Sequence, residues 1–265
     1  MTGPAGMEAV ILCGGLGTRL REETEFKPKP MVEIGGRPIL WHIMKHYRRF
    51  GVRDFVLCLG YRGNAIRDYF LSYTNHVHDC RVDLATGAVT PVSNGEDIDW
   101  RVTLAETGPT TQTGARLIRA LRHVRGDRFF ATYGDGVSDV DLDSLLDHHT
   151  AIGKPATVTA VHPSSRFGEL SIEGEVVHSF AEKPQVTGDW INGGFFVFEK
   201  RAFDGFAADN GLTLEDGILD VLARRKALAV HRHGGFWQCM DTQREMTLLN
   251  EMWADGRARW KTWTD

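Results

Sequence analysis

Residues 7–33 read MEAVILCGGLGTRLREETEFKPKPMVE, and the fold follows from them. Ala9 to Cys13 is an apolar run of strand length with β-branched centre residues, the pattern of a strand buried on both faces. It stops at Gly14-Gly15, and Leu16-Gly17-Thr18-Arg19 follows. Glycines after a buried strand let backbone N–H groups approach an anion without a Cβ in the way. Arg19 adds a forked cation suited to phosphate. Lys27 and Lys29 each precede a proline, which biases their backbone toward extended geometry. Together these features read as one site for a triphosphate.

Two familiar glycine motifs do not fit. A dinucleotide-binding fingerprint needs a third glycine, and Thr18-Arg19-Leu20 stands after Gly17. The string G-x-x-x-x-G-K-[ST] does not occur. The pair Gly14-Gly15-Leu16-Gly17-Thr18-Arg19-Leu20 and Lys27-Pro28-Lys29-Pro30 instead resembles the signature of sugar-nucleotide pyrophosphorylases. With Met31 to Gly36 (MVEIGG) it is most similar to the glucose-1-phosphate cytidylyltransferase branch of that family. The resemblance implies nucleotidyl transfer from CTP to α-D-glucose 1-phosphate with Mg²⁺, giving CDP-glucose for deoxysugar synthesis. It further implies that Leu12, Gly14, Gly15, Gly17, Thr18, Arg19, Lys29 and Gly134 bind the nucleotide. UTP or dTTP, or another sugar 1-phosphate, remains open, as does a non-catalytic nucleotide-binding homologue.

Composition narrows the class. With 265 residues, 42% hydrophobic and 25% charged, the chain suits one large α/β domain with its own core. We expect a short disordered extension over 1–6 and a single domain over 7–265. In that domain 7–136 is mainly nucleotide-binding and 137–265 mainly sugar-binding. A net charge of −4 argues against a general nucleic-acid surface. The four cysteines, Cys13, Cys58, Cys80 and Cys239, form no C-x-x-C pair, which suits free thiols in a cytoplasmic protein. No apolar stretch has transmembrane length, so no membrane partner is expected.

The rest of the chain alternates. Ile39 to Tyr47 has helical spacing behind Pro38, Asp54 to Leu59 reads as a second strand, and Asn64 to Tyr73 as a second helix. The β-α-β-α order predicts a doubly wound, mostly parallel sheet. Residues 79–104 break the rhythm and read as a hairpin excursion on the surface. His76 and His78 lack a third ligand at a convincing offset and read as solvated. Thr113 is expected to cap the next helix. By resemblance, Thr111, Gly114 and Arg116 contact the nucleotide there.

Phe129 to Tyr133 is a further strand, ending in Gly134-Asp135-Gly136. Ligands bind at that end of the strands in such sheets, and Mg²⁺ takes one or two carboxylates plus phosphate oxygens. Asp135 is therefore read as a metal ligand. Asp139, Asp141 and Asp143 are read as opening the helix that follows. A second antiparallel excursion runs from Arg166 to Val177. Two helices are expected between Lys200 and Ala227, and a short strand over Leu228 to His231. The resemblance assigns Gly168, Glu182, Lys183, Asn192 and Gly193 to the sugar phosphate, and Asp241 as the second metal carboxylate. On local grounds Asp241 reads equally well as the cap of a helix beginning at Thr242. Arg19, Lys29, Asp135 and Asp241 are the expected catalytic set. The family's habit of forming homo-oligomers is expected here, and Trp260 and Trp263 either pack across a subunit boundary or close the domain.

Overall fold

The computed structural model describes residues 3–15, 17, 20–25, 27–92, 98–163, 169–173, 176–181 and 190–264. Its centre is a seven-stranded sheet. In chain order the strands are β1 (Glu8–Leu12), β2 (Asp54–Leu59), β3 (Arg101–Glu106), β4 (Arg128–Tyr133), β5 (Ala156–Val161), β6 (Ile191–Glu199) and β7 (Leu228–His233). In space they run β7-β5-β6-β4-β1-β2-β3. Strand β6 is antiparallel to both its neighbours, and the other pairs are parallel. This is the doubly wound, mostly parallel sheet that the alternation of the sequence predicts.

The apolar run Ala9 to Leu12 of β1 has a direct cause. Ala9 and Ile11 face one core, while Val10 and Leu12 face another. The first core is closed by α1 (Ile39–Arg49), which contributes Ile43, Met44 and Tyr47, and by α4 (Leu142–Ile152), which contributes Leu145 and Leu146. Between these two in the chain come α2 (Gly63–Leu71) and α3 (Thr113–Ala120). The second core packs Leu117 and Ala120 of α3 with Leu214, Ile218 and Leu222. A central strand covered on both faces has no position for a polar residue to reach water. The last helix is α5 (Gln243–Ala254). Beyond it, Trp260 and Trp263 are buried in the first core, with Trp263 edge-on to Trp41. The tryptophans thus close the domain from within.

Several expectations need correction. The 79–104 excursion is only partly one: Cys80–Asp83 pairs with Ala88–Pro91 as a hairpin, but Arg101–Glu106 is β3, paired in parallel with β2. As an edge strand it is half-covered, so Val102 and Leu104 alternate with polar residues and the pattern looks like an insertion. The second helix is Gly63–Leu71, followed by a separate turn at Tyr73–Val77. The two helices expected between Lys200 and Ala227 are a 3₁₀ turn at Lys200–Phe203 and a π-helical turn, Leu214–Leu219, running into Asp220–Arg224. Residues 3–6, expected to be disordered, turn back so that Pro4 is buried and accepts a hydrogen bond from Met7. The second excursion is antiparallel as expected, Glu169–Glu173 against Val176–Ala181.

Candidate active site

Strands β1 and β4 lie side by side, and the order of strands reverses between them. At that switch point the two C-terminal ends leave a crevice, the place where open α/β sheets bind ligands. A cavity of about 270 Å³ opens there. Its lining includes Leu12, Gly14, Gly15 and Gly17 from one strand end and Tyr133, Gly134 and Asp135 from the other. Thr111, Gln112 and Thr113 wall one side. Gly134 packs so closely that a Cβ would lie 2.9 Å from the Leu12 carbonyl oxygen.

Lys29 enters from a single 3₁₀ turn, Lys29–Met31, behind an extended Pro28. It is only 9% exposed, an unusual place for a lysine without partners. Its Nζ donates to Asp135 Oδ2 at 2.6 Å and to Asp241 Oδ1. Burial opposes the charged ammonium, but the two carboxylates outweigh it and hold the lysine above its ordinary value. Lys27 lies outside this arrangement, 3.6 Å from Glu23 and 4.0 Å from Glu33.

Backbone pairing brings the two aspartates together. Residues Gly136–Ser138, after Asp135, pair antiparallel with Trp237–Cys239, before Asp241. The Met240 N–H donates to the Asp135 carbonyl at 2.8 Å. Asp241 does not cap α5. Thr242 does, in a capping box with Glu245, whose carboxylate also accepts from the Asp241 N–H at 2.7 Å. The Asp241 side chain is left to Lys29. Burial pushes the neighbouring Cys239 thiol up to about 12, so it stays protonated and donates to Asp241 Oδ2.

Asp135 and Asp241 suit a hard divalent cation. They offer carboxylate oxygens at one point, where the ammonium of Lys29 already sits between them. No cluster of three or more His, Cys, Asp or Glu competes for a metal among the described residues. Two protein carboxylates with phosphate oxygens completing the shell is the manner in which Mg²⁺ is commonly bound.

Arg116 lines the cavity and is at the same time tied into the backbone around it. Only 3% exposed, it donates to the carbonyls of Leu59, Gly108, Pro109 and Gly14 and to the Thr107 hydroxyl. It ties the ends of β1, β2 and β3 together. A Cβ on Gly14 would lie 2.2 Å from its Cζ. That glycine therefore makes room for an arginine, beyond any approach of a ligand. Gly114 packs its Cα against the Thr213 carbonyl, 2.6 Å from where a Cβ would stand. Thr111 lines the cavity, and its hydroxyl binds Asn210 and Arg119.

Thr113 is not a cap. Gln112 holds that position without a side-chain bond, and the Thr113 hydroxyl donates to Glu215 Oε2 at 2.8 Å while accepting from the Leu214 N–H. Asp139 also departs from expectation. It accepts from the Phe236 N–H at 2.6 Å and pairs with His233, while Asp141 caps α4. Asn192 donates to the Tyr133 hydroxyl at 3.2 Å, and Gly193 accepts from the Trp237 indole at 2.7 Å. Thr18, Arg19, Gly168, Glu182 and Lys183 lie outside the described residues. Tyr133 and Thr113 belong to the wall and Glu215 bonds to both, but none of the three is among the expected site residues. Tyr133 carries a signal, standing directly before Gly134-Asp135 at a strand end, and Thr113 stands between two residues expected at the nucleotide; Glu215 carries none.

The profile of the family described as nucleotidyl transferase matches residues 8–255. The chain is 48% identical over 258 residues to the glucose-1-phosphate cytidylyltransferase of Salmonella typhi, covering 97% of this chain and 100% of that protein. It is 43% identical over 257 residues to the probable glucose-1-phosphate cytidylyltransferase of Bacillus subtilis, with the same coverage. Among solved structures, a putative glucose-1-phosphate thymidylyltransferase from Bacillus anthracis superposes with a TM-score of 0.68 at 17% identity over 98% of both chains. The inositol-1-phosphate CTP transferase of T. maritima gives 0.66 at 16% over 100% of both. At such identities these two establish the fold alone. Profile and full-length relatives agree with the crevice at the switch point: the chain belongs to the nucleotidyl transferase family.

Proposed function

We propose that this chain transfers a cytidylyl group from CTP to α-D-glucose 1-phosphate, releasing pyrophosphate and CDP-glucose. The observation that carries the chemistry is the convergence of Lys29, Asp135 and Asp241 at the mouth of the switch-point cavity. The choice of substrates rests on the full-length similarity to glucose-1-phosphate cytidylyltransferases.

In this reading the triphosphate lies over Gly14, Gly15, Gly17 and Thr18, with Arg19 and Lys29 against its phosphates. Leu12, Thr111, Arg116 and Gly134, which line the cavity, bound the nucleoside together with Gly114 of the next helix, and Arg116 also holds the loops in place. Asn192, Gly193, Gly168, Glu182 and Lys183 receive the sugar phosphate. A phosphate oxygen of the sugar attacks the α-phosphorus in line as the bond to pyrophosphate breaks. That oxygen is already anionic at neutral pH, so no side chain needs to act as a base. The protein's work is positioning and charge neutralisation. Asp135 and Asp241 would hold Mg²⁺, which would supply a Lewis acid to offset phosphate charge.

The same reading sets the protein in the cytoplasm, supported by its four free cysteines and a nucleotide substrate. It also includes a homo-oligomer, supported by the exposed Val82, Leu84 and Val89 of the Cys80–Asp83 hairpin, and sedimentation tests it. The deciding experiment is pyrophosphate release with Mg²⁺ and glucose 1-phosphate, offering CTP, UTP, dTTP, ATP and GTP in turn. Release with CTP well above the rest is the expected result. Release with none, across a panel of sugar 1-phosphates, defeats the proposal.

A further inference from the structure

A hydrogen-bonded relay crosses one wall of the cavity. Tyr133 and Thr113 line it, and Glu215 stands behind both. The Tyr133 hydroxyl donates to Glu215 Oε1 at 2.5 Å, and the Thr113 hydroxyl donates to Oε2 at 2.8 Å. Each oxygen also accepts once: Tyr133 from Asn192 Nδ2 at 3.2 Å, Thr113 from the Leu214 N–H at 2.8 Å. Glu215 is carried by the π-helical turn Leu214–Leu219, a rare geometry that recurs at functional sites. The Thr213 hydroxyl accepts from Gly217 and so anchors that turn.

The relay fixes the polarity of the wall. A hydroxyl has one proton and two lone pairs. Both protons here are committed to the carboxylate, and one lone pair on each oxygen is taken. One lone pair on each oxygen remains, so both groups are acceptors only. Burial and the Glu215 charge push the Tyr133 phenol above its ordinary range, so it keeps the proton it donates.

We infer that Glu215 is a positioning residue that makes Tyr133 and Thr113 acceptors for a sugar hydroxyl of the bound substrates. The inference deepens the cytidylyl-transfer reading and rests on it. The hydroxyl comes either from the ribose, which the Thr111–Thr113 side suits, or from the hexose, which the Asn192 side suits. A site built to accept an O–H discriminates strongly, because an unmatched buried acceptor is costly.

Glu215→Gln tests it. Glutamine keeps the size but offers an NH₂ in place of one oxygen. The hydroxyl facing that NH₂ must accept from it and turn its own proton into the cavity. Steady-state kinetics with CTP and glucose 1-phosphate varied in turn should show the KM of one substrate raised about tenfold, with kcat within about threefold. A rise confined to CTP assigns the ribose, and a rise confined to glucose 1-phosphate assigns the hexose. In a Tyr133→Phe/Thr113→Val background, Glu215→Gln should add less than about twofold, because no hydroxyl remains to be oriented. Both KM values unchanged in Glu215→Gln, or its full effect persisting in that background, overturns the inference. If Glu215→Gln does not fold, calorimetry of CMP and glucose 1-phosphate on the Tyr133→Phe and Thr113→Val single variants carries the same test. There, weaker binding of one ligand supports the relay, and unchanged binding of both refutes it. A wild-type protein without cytidylyl transfer defeats the functional reading instead, and the calorimetric comparison still reads the relay.

Discussion

Replacing Lys29 by methionine removes one charge and leaves two opposite ones facing each other. Lys29 Nζ lies 2.6 Å from Asp135 Oδ2 and contacts Asp241 Oδ1 as well. Oxygens that share one nitrogen lie within about 5 Å of each other, and at an effective dielectric near 20 two unit charges so placed repel by about 3 kcal/mol. Two effects reduce that figure. The ammonium is no longer withdrawn from water, and the Asp135 side chain is 31% exposed and therefore screened. A net loss of about 1–3 kcal/mol remains, which lowers Tm by about 2–10 °C for a chain of this size. The assay is thermal unfolding near neutral pH, first with a chelator and then with excess Mg²⁺. In Lys29→Met the divalent ion should recover most of the loss, because it takes the place of the missing cation between the carboxylates. The wild type, with its ammonium already there, should move less. Turnover of the variant should fall by about 10²–10³ if, as proposed, Lys29 meets the phosphates. A variant that melts with the wild type in chelator, or a Mg²⁺ shift equal in both proteins, refutes the charge argument.

Gly14→Ala places a methyl 2.2 Å from the Arg116 Cζ, so Arg116 must give up part of its carbonyl network. Destabilisation of about 1–3 kcal/mol is expected, read as a lower urea midpoint, and an unchanged midpoint shows the loop has slack. His42 and His46 are held neutral by burial, each lowered to about 4. The unfolded chain, with ordinary values near 6.5, then binds more protons between about pH 6.5 and 4. Stability is therefore full above that window and falls as the pH drops through it; equal urea midpoints at pH 7 and pH 5 contradict this. Thr242→Ala removes the capping box of α5 at a cost of about 1 kcal/mol. Because Glu245 also holds the Asp241 N–H, turnover should fall with little change in either KM, and unaltered kinetics separate the cap from the site.

The legible parts of this site are those whose signal is local. Asp135 shows itself because glycines flank it at the end of a buried strand. Lys29 shows itself through its prolines, although Lys27 carries the same context and turns instead toward Glu23 and Glu33. Asp241 was ambiguous because Asp-Thr before a helix offers two caps. The structure divides the labour, giving the cap to Thr242 and the site to Asp241. Arg116, expected at the nucleotide by resemblance, lines the cavity but also spends its donors on backbone carbonyls, a bracing role with no local signal in the sequence. Strand β3 was missed because an edge strand alternates as a surface hairpin does. Glu215 had no local signal at all: its partners Tyr133 and Thr113 come from the end of β4 and the start of α3, far away in the chain, and only the fold brings them together.

The spacing of the two carboxylates is set by backbone rather than by side-chain rotamers. Gly136–Ser138 and Trp237–Cys239 form a two-stranded ladder whose near end delivers Asp135 and Asp241. The far end is closed by Asp139, which accepts from the Phe236 N–H and pairs with His233, while its own N–H donates to the Phe236 carbonyl. The Ser138 hydroxyl donates to that same carbonyl at 2.7 Å. This clasp requires Gly235, where a Cβ would lie 2.4 Å from Asp139 Oδ1. A short ladder isolated in water is marginal, so one fastened at both ends holds its register where a free one would slip. Asp139, which looks like a helix-opening residue in the sequence, is thereby part of what keeps the two acids of the site facing one lysine.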